Sequence, residues 1–134
     1  MTTIDEHKEI INEYIDDINE KVRAGIVAER QKIIGFAASE AATNLFAVFL
    51  HSKNLIEPTF NVNHKYFASE RIAEKQFNFD FPDKERLIKL LVLQEDFRYK
   101  LCYGKRKNPE IVNSAIENLF KIKNIIDKEL EVKK

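Results

Sequence analysis

The stretch Ile33–Leu50, reading IIGFAASEAATNLFAVFL, constrains this chain more than any other. Thirteen of its eighteen residues are apolar, the exceptions being Gly35, Ser39, Glu40, Thr43 and Asn44. A surface helix needs a single apolar stripe, whereas a helix that is apolar nearly all round is buried on several sides. The stretch therefore reads as the central post of a helical bundle. Its length would also suit a membrane span. However, Glu40 sits mid-segment, where a charge is expensive in lipid, and Ser39, Glu40, Thr43 and Asn44 fall on one helical stripe. That pattern predicts a soluble core with one hydrogen-bonded seam and no membrane partner. Ala37, Ala38, Ala41 and Ala42 let neighbouring helices come close.

At 134 residues the chain is one domain, 1–134, by length. It is large enough to bury roughly 65–70% of its unfolded surface without a disulfide or metal. The single cysteine, Cys102, fits a reducing compartment. The opening MTTIDEHKEI is acidic and lacks the apolar core of a signal peptide, so the expected location is cytoplasmic. Twenty-two basic residues balance twenty-two acidic ones, which leaves no global pull toward nucleic acid or membrane. Three glycines and three prolines are sparse punctuation and favour long helices. The expected class is all-α, an up-and-down four-helix bundle with an additional short helix.

Thr3 and Glu6 have the form of a capping box, opening a first helix that runs to about Arg23. Ile4, Ile11, Ile15, Ile18 and Val22 share its apolar face, widened by Ile10 and Tyr14. Gly25 offers a break, although one bent rod into the next helix is equally compatible with the pattern. The central helix is expected from about Ile26 to Ser52 or Lys53. His51 lies eleven residues after Glu40, so both sit on the polar stripe about 16 Å apart. They cannot touch but can line one groove. A short helix is expected over Lys65–Lys75 with Tyr66, Phe67 and Ile72 inward. Phe77, Phe79 and Phe81 follow on an extended arm over the end of the bundle. Asp80, Pro82 and Asp83 open a third long helix that Gly104 ends, and Asn108-Pro109-Glu110 opens the last.

The stretch Arg98–Lys107, RYKLCYGKRK, carries five basic residues and no acid. Arg98, Lys100, Lys105, Arg106 and Lys107 can neutralise phosphates, and the interleaved Tyr99 and Tyr103 can stack on bases, so the surface suits RNA or a nucleotide. Cations at a helix C-terminus also complement the macrodipole with no ligand at all.

The order of helices, with a motif-bearing helix, a glycine and a final helix, resembles the HEPN family of nucleic-acid-associated bundles. That family places Arg-Asn-x-x-x-His-Gly-Tyr before the last helix. Here Arg98 and Gly104 match, while Tyr99 stands for the asparagine, Tyr103 for the histidine and Lys105 for the final tyrosine. The resemblance implies a homodimer with converging arginines, acting as a ribonuclease or as the partner of a nucleotidyltransferase. Metal-free cleavage needs a group that exchanges a proton near neutral pH, and tyrosine titrates near about 10. The resemblance therefore implies a binding subunit that does not cleave, with no catalytic residues. Two other readings stand beside it: a metal-independent ribonuclease using Arg98 and Tyr103, and a structural homodimer joined through the alanine-rich helix.

The remaining candidates are fewer. Glu40 and Asn44, with His51, line a groove over which Arg98 can be oriented, either as a site or as core packing. A buried Glu needs a partner in any case. His7, between Glu6 and Glu9, reads as a solvated surface residue and His64 as a satisfied loop histidine. Cys102 reads as a packed small side chain. No ligand spacing for a metal is present, and no cofactor is expected.

Overall fold

The computed structural model describes residues 2–132, and these form helices joined by turns, with no strand among the described residues. The helices are α1 (Ile4–Ala24), α2 (Gln31–Ser52), a 3-10 turn at His64–Phe67, α3 (Glu70–Gln76), α4 (Lys84–Cys102) and α5 (Pro109–Val132). The four long helices alternate in direction. His7 near the start of α1 lies beside Asn44 and His51 of α2. Arg98 near the end of α4 meets Ser39 and Glu40, and Gln94 of α4 meets Ala115 of α5. The helices do not sit as four equal corners. α2 packs on α1, α4 and α5, α4 and α5 pack on each other, and α1 rests chiefly on α2.

Sequence chemistry accounts for the boundaries. The Thr3–Glu6 capping box is complete, each side chain accepting from the other residue's backbone N–H. Gly25 adopts φ +69° and closes α1, a conformation a side chain would strain. Residues 27–30 are turns, so α2 starts at Gln31 and not near Ile26, and α1 and α2 are separate antiparallel helices. The expected short helix over Lys65–Lys75 is two pieces, because the Ser69 hydroxyl caps α3 by accepting from Ile72 N–H. Ile72 is 46% exposed and Ala73 holds the inward position assigned to it. Asp83, in a left-handed conformation without a side-chain cap bond, is the residue before α4, so Pro82 lies outside the helix it was expected to open. Val22 is likewise half exposed at the end of the α1 face.

The core follows α2. Ala37, Ala38, Ala41 and Ala42 are buried within the chain, so the alanine face is consumed by α2's own neighbours and does not offer an interface to a second copy. Gly35 marks the closest approach: a Cβ there would stand 2.7 Å from Leu101 Cβ of α4. The apolar stretch that could cross a bilayer by length is 78% buried inside the bundle, which accounts for its composition without lipid. Over the C-terminal half of α2 the segment from Leu55 to Phe81 forms a roof. Phe46 stands edge-on to Phe67 and Phe77 and contacts Phe81, with Phe49, Phe60, Tyr66 and Phe79 extending the cluster. Edge-to-face aromatic pairs each add roughly 0.5–1.5 kcal/mol beyond area burial. Between α4 and α5 the buried Gln94 and Asn118 bond each other and the Ala115 and Leu90 carbonyls, fixing the register of the two helices.

Candidate functional site

Two arrangements hold the residues singled out above. The first is the polar seam of α2. Glu40 accepts from Arg98 Nη1 at 2.7 Å, and the same nitrogen donates to Ser39 Oγ at 3.2 Å. The guanidinium lies 4.8 Å from the centre of the Phe36 ring, within cation–π range. Arg98's side chain is 11% exposed, so it is an anchored ion pair and not a free phosphate ligand. Tyr14 of α1 stands edge-on to Phe36 at 6.0 Å. Burial raises the Tyr14 phenol above its usual value, with Glu40 and Glu13 adding to the rise and Arg98 opposing it.

One turn along, Asn44 Nδ2 donates to the Glu40 carbonyl while its Oδ1 meets His7 Nδ1 at 2.6 Å. His7 in turn stacks on His51 at 5.9 Å. Burial lowers the His51 pKa, the neighbouring His7 lowers it further, and a backbone hydrogen bond at Phe60 acts the other way. His7 is thus half-buried in the seam and not a solvated surface histidine. The signal was available: His7 and Tyr14 are seven residues apart and share a helix face. His64 is satisfied, as expected, by Glu95 at 2.9 Å. Glu40, Asn44 and His51 do line one seam. Among the described residues no group of three or more His, Cys, Asp or Glu is placed to hold a metal.

The second arrangement is the end of the bundle where α1 finishes, α2 begins and α4 hands over to α5. Its geometry is set by Gln31, which is buried and bonds to Ala28 and to the Lys107 backbone in both directions. Arg106 donates to the Ala28 carbonyl, and Lys107 Nζ donates to the Lys105 carbonyl at 2.7 Å. Bonds to carbonyls position these cations without neutralising them. Lys105's ammonium has no side-chain partner among the described residues. Lys100, by contrast, is paired with Asp96 at 2.9 Å.

The two stretches that meet here, residues 20–36 and 97–114, carry nine Lys/Arg against three Asp/Glu. An electroneutral chain therefore has a basic pole. Three of the nine are offset by acids outside the pole: Lys21 by Asp17, Arg98 by Glu40 and Lys100 by Asp96. Arg30, Lys32, Lys105, Arg106 and Lys107 stay available around a shallow hollow of about 340 Å³ that Arg30, Lys32, Ile33 and Arg106 help to line. Tyr99 and Tyr103, on the chain that leads into Lys105, are 69% and 61% exposed with ring centres 5.8 Å apart. Sequence reasoning found Lys105, Arg106, Lys107 and Tyr103. It missed Arg30 and Lys32, whose proximity only the α2–α4 crossing reveals.

Arg98 and Tyr103 share no hydrogen bond or ring contact among the described residues. Cys102 is half-buried and its Sγ donates to the Lys32 carbonyl at 3.4 Å; burial raises its pKa, which suits packing and not nucleophilic attack. Searches of protein-family models, curated proteins and solved structures matched nothing, so the functional reading rests on this geometry.

Proposed function

We propose that the protein is an HEPN-like binding module that engages RNA, or the nucleotide units of it, through the basic pole of the bundle. One observation carries this reading. The two most exposed large aromatic side chains, Tyr99 and Tyr103, lie against each other at 5.8 Å, and Tyr103 leads directly into Lys105, Arg106 and Lys107, which make no ion pair among the described residues. Such cations draw phosphates by releasing counterions, and exposed aromatic faces stack on unpaired bases at roughly 1–3 kcal/mol per base. Arg98 supports the site from below by fixing the end of α4 on α2. The ribonuclease alternative has less support, because the guanidinium it needs is occupied by Glu40 and Ser39.

Fluorescence anisotropy with a single-stranded RNA tests the proposal. With roughly four phosphate contacts, affinity falls about 50-fold between 50 and 200 mM salt. Replacing Lys105, Lys107 and Tyr103 together with alanine removes most of the binding, while the RNA stays intact in EDTA. No affinity at low salt, or affinity indifferent to the triple variant, overturns the reading. The resemblance adds a homodimer and a nucleotidyltransferase partner to the proposal. Light scattering at micromolar concentration checks the first, and affinity purification of the tagged chain checks the second.

A further inference from the structure

The outward side of α4 carries a second surface, chemically opposite to the basic pole. A groove of about 620 Å³ runs between α3 and α4, floored by Ala68, Val92 and Leu93 and closed at one end by Tyr99. Leu93 is 41% exposed because α4 turns Leu87, Ile88 and Leu91 toward the core and leaves it on the far side. The rim is acidic, with Glu70 from α3 and Asp96 from α4. The groove continues into a hollow that shares Glu70 and is walled by Glu74, Asp80, Asp83 and Glu85.

Seven carboxylates line the groove and the hollow against three cations, Lys84, Arg86 and Lys89. Lys89 pairs with Glu85 at 3.4 Å and Lys100 with Asp96 at 2.9 Å; Lys84 is positioned by the Phe79 carbonyl at 2.8 Å and keeps its charge, as does Arg86, so the acids still outnumber the free cations. Glu70, Glu74, Asp80 and Asp83 make no ion pair among the described residues. An apolar floor under a rim of uncommitted carboxylates repels phosphate and favours cations that bring apolar side chains with them.

We propose that this groove is a docking site for a basic amphipathic helical segment of a partner protein. Its leucine-type side chains lie on Val92 and Leu93, and its Lys or Arg side chains face Glu70, Glu74 and Asp80. α4 spans 19 residues, about 28 Å of helix, which is enough to seat three to four turns of such a segment in the helix-in-groove mode. The groove adjoins the basic pole at Tyr99, and the rest of its lining, from Ala68 to Asp96, lies outside the pole.

The test uses the full chain and a short fluorescent helical peptide of leucine and lysine, with a second peptide carrying glutamate for lysine. Anisotropy is expected to show binding of the lysine peptide only. Affinity drops about tenfold in Leu93→Glu and again in Glu70→Lys with Glu74→Lys, and is unchanged in Lys105→Ala with Lys107→Ala. Circular dichroism confirms that these exposed substitutions leave the fold intact. Equal affinity for the glutamate peptide, or binding indifferent to Leu93→Glu, overturns the proposal. Sedimentation showing that the chain fills the groove with a second copy, in a complex that Leu93→Glu dissolves, overturns it as well.

Discussion

The two halves of α2 share one apolar composition and meet different fates. Over the C-terminal half, Phe46, Val48, Phe49 and Leu50 are sealed by the aromatic roof from Leu55 to Phe81. Over the N-terminal half no roof exists, and Ile33 and Phe36 are 51% and 41% exposed beside an ion pair and a basic turn. Burial is the main source of stability, so the roofed half holds the fold together. The open half keeps the charged and aromatic side chains that a ligand can reach. Under the proposed function, stability and recognition are separated along a single helix.

The comparison can be broken most sharply by truncating an aromatic ring in each half. Phe77→Ala, which empties the centre of the roof, is expected to cost about 3–5 kcal/mol in urea unfolding. Phe36→Ala, 41% exposed but in contact with Tyr14 and Arg98, is expected to cost less, about 1–2 kcal/mol. Equal losses would dissolve the distinction. Gly35→Ala comes next. Its Cβ would press on Leu101 Cβ at 2.7 Å, so α2 and α4 are forced apart at a cost of about 1–3 kcal/mol. A neutral result would mean the helices can separate freely at the open end. Arg98→Ala leaves Glu40 partly buried without its partner and is expected to cost about 1–2 kcal/mol, less than a fully buried pair because both groups keep some solvent.

The smallest effect is a pH dependence. His51 has a folded pKa below its unfolded value near 6.5. The unfolded chain therefore binds more protons just below that pH, and stability rises with pH through this window. The contribution is complete above about pH 6.5 and is lost as the pH falls toward the folded pKa. Unfolding curves between pH 5 and 8 are expected to lose part of this slope in His51→Gln. An unchanged slope would place the effect elsewhere.

Much of the fold was legible from Ile33–Leu50 and from the caps at Thr3 and Asn108, because a helix apolar on several sides has to be surrounded. The pairing of Arg98 with Glu40 followed from charge on a buried stripe. The turns at residues 27–30, the Ser69 cap and the left-handed Asp83 were not legible, since each depends on how the chain is pulled onto its neighbours. His7 was misread because its charged sequence neighbours hid the helical phase it shares with Tyr14. The basic pole was half legible. Lys105–Lys107 are contiguous, whereas Arg30 and Lys32 join them only through the crossing of α2 and α4.

The most direct measurement is an NMR titration of the labelled chain with a short single-stranded RNA. Backbone amides at Arg30, Lys32, Tyr99, Tyr103 and Lys105–Lys107 should shift, while those of Phe46–Leu50 and α3 stay still. Shifts centred on the roof or on α3, with the pole silent, would contradict the separation of binding from stability on which this account stands.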